Sequence, residues 1–191
     1  MSTIPKDISE YLLSFENRVN EELVKLCSSY IKIDGILPSS QDVEKRWAEL
    51  APEYMSDAVP LISDYPTVSI AWAGYVGMAV AHDWDDDWSI YHDRPYTQFY
   101  GSRGFDDLDE NILVNILRLP LDSKEATDIE AMMRRLSQKA LTILRHENIE
   151  PQSRTAFYAY SRVLNVMYRL GASMQLLRMG YVCRKVNLPL C

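Results

Sequence analysis

Cysteine, histidine and glycine are all scarce in this chain, at three, three and seven residues among 191. Cys27, Cys183 and Cys191 are far apart and form no C-x-x-C pair, which indicates neither a disulfide framework nor a thiolate zinc site. Reduced thiols in a reducing compartment are the plain expectation. No Glu-x-x-His stands in the sequence for a di-iron centre, and there is no glycine-rich phosphate loop or nucleophile elbow. Basic charge is also in deficit: the formal net charge of −7 argues against non-specific nucleic-acid binding, which needs a cationic face to neutralise phosphates. Long apolar runs are missing too. The longest, Ile70 to Ala81, has twelve residues and is too short for a bilayer core of ~30 Å at ~1.5 Å per residue, so no membrane contact is expected. The first residues lack the basic and then apolar pattern of a secretory signal, and a cytoplasmic location is expected.

What the chain does have is apolar content, at 47%, and enough length to bury a core without disulfides, so a single domain over residues 1–191 is expected. Strand-like alternation is absent, while steps of three and four recur. Ile8, Leu12, Phe15, Val19, Leu23, Leu26, Tyr30 and Ile33 fall on one helical stripe, opened near Pro5 and closed by Asp34-Gly35. A second helix begins after Ser39-Ser40, with Pro52 and Pro60 expected to break or kink it. Pro66 opens a third, in which Ser69, Ala73, Gly77 and Ala81 form a small-residue stripe that lets another helix approach closely. Residues 88–106 show no helical period and contain Pro95, Gly101 and Gly104, which predicts a long aromatic loop. Helices are then expected from Asp107 to Leu119, after an Asp122/Glu125 capping pair, and from Pro151 to Gly180. The predicted fold class is all-α, an irregular multi-helix bundle of five to seven helices with a long aromatic-acidic loop. Trp47, Leu50, Ala51 and Tyr54 share the opening spacing of a tetratricopeptide repeat, but the later positions of that unit are missing and no repeat is read.

Charge is distributed unevenly. Residues 83–110 hold nine carboxylates and two arginines, a balance equal to the net charge of the whole chain. On either side, residues 1–82 carry a net −6 and residues 111–191 a net +6, so the two ends should attract each other or the basic end should face the acidic window. Asp83, Asp85, Asp86 and Asp87 follow a helix whose C-terminal dipole is already negative, and something must offset the repulsion: water, arginine or a metal cation.

If the helix continues through the cluster, His82 and Asp86 lie one turn apart and would suit a hard divalent ion. The Asp83-Trp84-Asp85-Asp86-Asp87 run matches the first three ligand positions of an EF-hand loop, but Trp88 stands where glycine is needed and Arg94 where glutamate is needed. His82-Asp83 and His92-Asp93 resemble the His-Asp pair of the all-helical metal-dependent phosphohydrolases. That resemblance implies Mg²⁺, Mn²⁺ or Ca²⁺ held by His82, Asp83, Asp86 and His92, and a small phosphorylated substrate; the further upstream histidine those enzymes use has no counterpart here. The arginine alternative is a stripe of Arg154, Arg162 and Arg169 on the last helix, within roughly 80° of one another at ~100° per residue. It would close on the Asp83–Asp87 cluster or form an anion pocket. Methionines 132, 133, 167, 174 and 179 are read as core filling rather than an adaptable groove.

Functionally, the sequence favours a non-catalytic module that binds a protein partner or forms a homo-oligomer, with no cofactor. Its contact surface would be the aromatic-acidic loop of residues 84–105, which supplies Trp88, Tyr91, Arg94, Tyr96, Tyr100 and Arg103, residue types that dominate interface hot spots. The metal-dependent phosphohydrolase is the alternative.

Overall fold

A computed structural model of the chain describes residues 6–28 and 37–182. Six α-helices and no named strand occur among the described residues, so the fold is an all-α, multi-helix bundle. They are α1 (Lys6–Ser28), α2 (Gln41–Leu61), α3 (Pro66–Tyr91), the short α4 (Leu108–Asn111), α5 (Lys124–Arg145) and α6 (Arg154–Arg178). The buried side chains of these helices join in one apolar cluster.

The α1 stripe is buried at Leu12, Phe15, Val19, Leu23 and Cys27. Pro5, Tyr30, Ile33 and the Asp34-Gly35 stop lie outside the described residues, as do Cys183 and Cys191. Helix α2 runs unbroken through Pro52 and Pro60, contrary to expectation. Both prolines are exposed, as are Ala48 and Ser56, whose carbonyls lose their helical donors and face water instead.

Helices α3 and α6 form the centre. A Cβ on Gly77 would lie 2.0 Å from the Tyr168 carbonyl oxygen, and one on Gly171 would lie 1.9 Å from that of Gly74. Backbones can approach this closely only where side chains are missing. The small-residue stripe of α3 is therefore a packing seam, with Gly171 as its counterpart on α6. Buried tyrosines tie α2 to this pair and the pair to itself: the Tyr54 hydroxyl donates to the Ser69 carbonyl, that of Tyr160 to Ser69 Oγ at 2.7 Å, and that of Tyr168 to the Val43 carbonyl at 2.6 Å.

The expected helix from Asp107 to Leu119 is instead α4 followed by a π-helical turn, Ile112–Ile116, and the chain then leaves helical geometry, with Arg118 at φ +59°. Helix α5 is capped by Ser123 rather than Asp122, its hydroxyl accepting from the Ala126 N–H at 3.2 Å. Ser153 caps α6 in the same way, its hydroxyl accepting from the Ala156 N–H at 3.1 Å, and Phe157, the next residue, is exposed. At the other end of α6, Gly180 takes φ +92°; its N–H reaches the Leu177 carbonyl and the Tyr181 N–H that of Leu176, a paired closure that needs the left-handed residue.

The attraction between the acidic and basic ends is realised along α1. Glu16 is buried and accepts from Arg162 and from Asn165, both at 2.7 Å, with Arg169 at 3.8 Å, and Glu22 pairs with Lys139 at 3.0 Å; Arg18 pairs with Glu147 in the opposite sense. This overturns the expectation that the α6 arginines close on Asp83–Asp87. Arg162 and Arg169 lie against α1, and Arg154 sits exposed in the first turn of α6.

Candidate functional site

Helix α3 carries the acidic cluster on helical backbone as far as Asp86. At Asp87 the backbone is extended (φ −156°, ψ 91°), and a short separate turn, Trp88–Tyr91, follows. Asp87 acts as the cap of that turn: its Oδ1 accepts from the Ser89 N–H at 3.1 Å and from the Ser89 hydroxyl at 2.6 Å. The aromatic loop thus begins at His92, four residues later than its lack of period suggested, because a single turn is too short to show a period.

Arg94 closes the segment back onto α3. Its guanidinium lies 3.0 Å from Asp83 Oδ2 and 4.5 Å from the centre of the Tyr91 ring, and its carbonyl accepts from Arg46 of α2. Asp83 is 5% exposed, and burial pushes its carboxyl up to about 6 against the opposing attraction of Arg94 and His82. Arg94 therefore supplies the counter-charge that the sequence left open between water, arginine and metal.

The metal set does not assemble. Asp83 is engaged by Arg94, Asp86 is exposed, and His92 is exposed beyond the break with Nδ1 at 3.1 Å from the Trp88 carbonyl. The half-buried His82 keeps a buried Nδ1 without a hydrogen-bond partner. No group of three His, Cys, Asp or Glu side chains that would hold a metal ion occurs among the described residues. His82, Asp83, Asp86 and His92 are thus not brought together as a ligand set among the described residues.

The six contact residues separate into two groups. Tyr96 is 1% exposed and belongs to the core, packed edge-on against Tyr54 and Tyr100, so it is not available to a partner. Tyr100 is half-buried and donates to the Asp57 carboxylate of α2, while Phe105 packs 4.6 Å from Trp72. Arg94 is committed to Asp83. Arg103 is exposed, with its N–H and guanidinium directed at Asp107, which also accepts from Ser102 at 3.0 Å. These contacts turn the loop aromatics inward. Trp88 and Tyr91 remain half-buried at the surface of the capped turn.

Several surface residues at this end were not singled out as contact residues in the sequence. Ile90, 62% exposed, was hidden inside what read as loop. Trp84 packs 5.6 Å from Tyr181, whose hydroxyl donates to Asp85 at 2.5 Å, and Val182 is exposed beside it. The signal for Tyr181 was its place directly after the helix-ending Gly180, where an apolar side chain usually folds back. The half-buried Trp84 and Trp88 and the exposed Ile90, hereafter the ridge, stand on the two sides of the Asp87 break and are interspersed with exposed carboxylates at Asp85, Asp86, Asp87 and Asp93. Set against protein-family models, curated proteins and solved structures, the chain matches none. Among the described residues no helix is long and apolar enough to cross a membrane.

Proposed function

We propose that the protein is a non-catalytic interaction module whose contact surface is the acid-rimmed ridge at the end of α3, and that its partner is a basic, amphipathic segment of another protein. The observation that carries this reading is the exposed Ile90 on a turn held in place from both sides, by the Asp87 cap and by the Arg94 contact with Asp83. A preordered apolar residue loses little conformational freedom on binding. The exposed carboxylates disfavour a second copy of this chain, which would bring like charges together, and favour a cationic partner. A reducing, cytoplasmic setting goes with this reading, since Cys27 is a free, buried thiol.

The test is a titration of the protein with an amphipathic Lys/Leu peptide, followed by tryptophan fluorescence. Ile90→Asp adds negative charge while removing the apolar contact, and Trp88→Ala removes area; both should weaken binding with the helical circular dichroism unchanged. If Ile90→Asp binds as well as the wild type or better, bare charge attraction accounts for the association and the ridge is not the site.

A further inference from the structure

A second surface feature lies on α3 nine residues before Trp84, about 14 Å along the axis at ~1.5 Å per residue. It is a groove of about 430 Å³ between the first half of α3, α4 and α5, lined among others by Trp72, Tyr75, Asp106, Asp109, Glu110 and Glu130. Its charge is poorly balanced. Arg134 is paired at 2.6 Å with Glu130, whereas Asp106, Asp109 and Glu110 form no ion pair among the described residues.

Acidity alone would not make a site, but Tyr75 adds an independent observation. It is 2% exposed, its ring is part of the core, and it lines this groove, yet its hydroxyl forms no hydrogen bond to any described residue. The ring is covered but the hydroxyl is reached from the groove, so its hydrogen-bonding capacity is open to a ligand there. Around it stand the charges of Asp109, Glu130 and Arg134. Asp109 is half-buried beside the Trp72 indole, and burial raises its carboxyl above the ordinary range despite hydrogen bonds from Trp72 and the backbone. Since no three of these carboxylates converge in the manner a metal ion needs, the geometry suits a longer cation whose charge is spread over several atoms.

We infer that this groove binds an aliphatic di- or polyamine, one ammonium group donating to Asp109 and to the Tyr75 hydroxyl and a second charge lying near Asp106 and Glu110. This site is independent of the ridge at the end of α3, and either assignment stands without the other.

Calorimetric titration of the full chain with spermidine at about 150 mM salt tests it, the salt screening diffuse attraction beyond roughly 8 Å. Saturable binding at one site is expected. Asp109→Asn should weaken it about tenfold or more, the scale of one hydrogen bond to a charged group, and Tyr75→Phe by several-fold. Glu21→Gln, on the exposed face of α1 away from the groove and the ridge, should change it less than about twofold. Absence of saturable binding overturns the proposal, as do equal displacement by Mg²⁺ at matched ionic strength and similar weakening by all three substitutions. Tighter binding of N-acetyl-lysine amide than of spermidine would also overturn it, in favour of a peptide lysine. Should Asp109→Asn fail to fold, Tyr75→Phe decides the question, because it removes one oxygen and no packing volume.

Discussion

The Asp83 carboxylate and the Arg94 guanidinium meet at 3.0 Å across the end of α3, and this contact fixes where the chain goes after its central helix. The pair is buried on the Asp83 side, so it has a measurable pH signature. The Asp83 carboxyl is raised to about 6 from 3.8, which means that the folded state holds the proton more tightly than the unfolded state. Its contribution to stability is full below about pH 4 and is lost as the pH rises through about 6. Urea unfolding at pH 4.5 and pH 7 should therefore show wild type gaining on Asp83→Asn by on the order of 2 kcal/mol at the lower pH, because each tenfold difference in proton affinity between the two states corresponds to ~1.4 kcal/mol. A difference that is independent of pH would contradict the burial of this carboxylate.

The cap at Asp87 should be separable from the fold. Asp87→Ala removes the acceptor for both the Ser89 N–H and hydroxyl, at a cost of about 1 kcal/mol, typical of a lost cap. Amide exchange should accelerate at the Trp88–Tyr91 turn and not in the first half of α3. Uniform acceleration along α3 would mean that the break is not an independent hinge.

The seam between α3 and α6 leaves no room for a methyl group. Gly77→Ala and Gly171→Ala each direct a Cβ into a backbone carbonyl oxygen, at 2.0 and 1.9 Å, and backbone cannot step aside as a flexible side chain would. Each substitution should destabilise by roughly 3 kcal/mol or more, at or beyond the upper end for overpacking. Gly180→Ala, at φ +92° with open space around the position, should cost only about 1 kcal/mol. A thermal melt that ranks Gly180→Ala as the worst of the three would refute the close crossing.

The ion pairs should also rank by burial. Arg162→Ala leaves the buried Glu16 with Asn165 and a distant Arg169, whereas Arg134→Ala releases a pair in which both partners are largely exposed. We expect about 2 kcal/mol for the first and less than about 1 kcal/mol for the second by chemical denaturation. Equal effects would show that Glu16 is hydrated in solution.

The sequence by itself determined the helical class, the stripe of α1, the places of α5 and α6, the absence of strand alternation and the attraction between the two ends. Each of these is a local period or a charge count, and periods of three and four survive any arrangement of the helices. It did not determine which charge meets which. The α6 arginines were matched to the Asp83–Asp87 cluster because both stood out, but Glu16, one acid among many on α1, is the group that burial places beneath Arg162. Pairing across more than a hundred residues depends on how helices cross, and the crossing was set by Gly77 and Gly171, of which only Gly77 lay on a recognisable stripe. Tertiary structure likewise turned Tyr96 and Phe105 inward and left Ile90 outside: over a segment with no period, only the contacts with Tyr54 and Trp72 decide which aromatic face is covered.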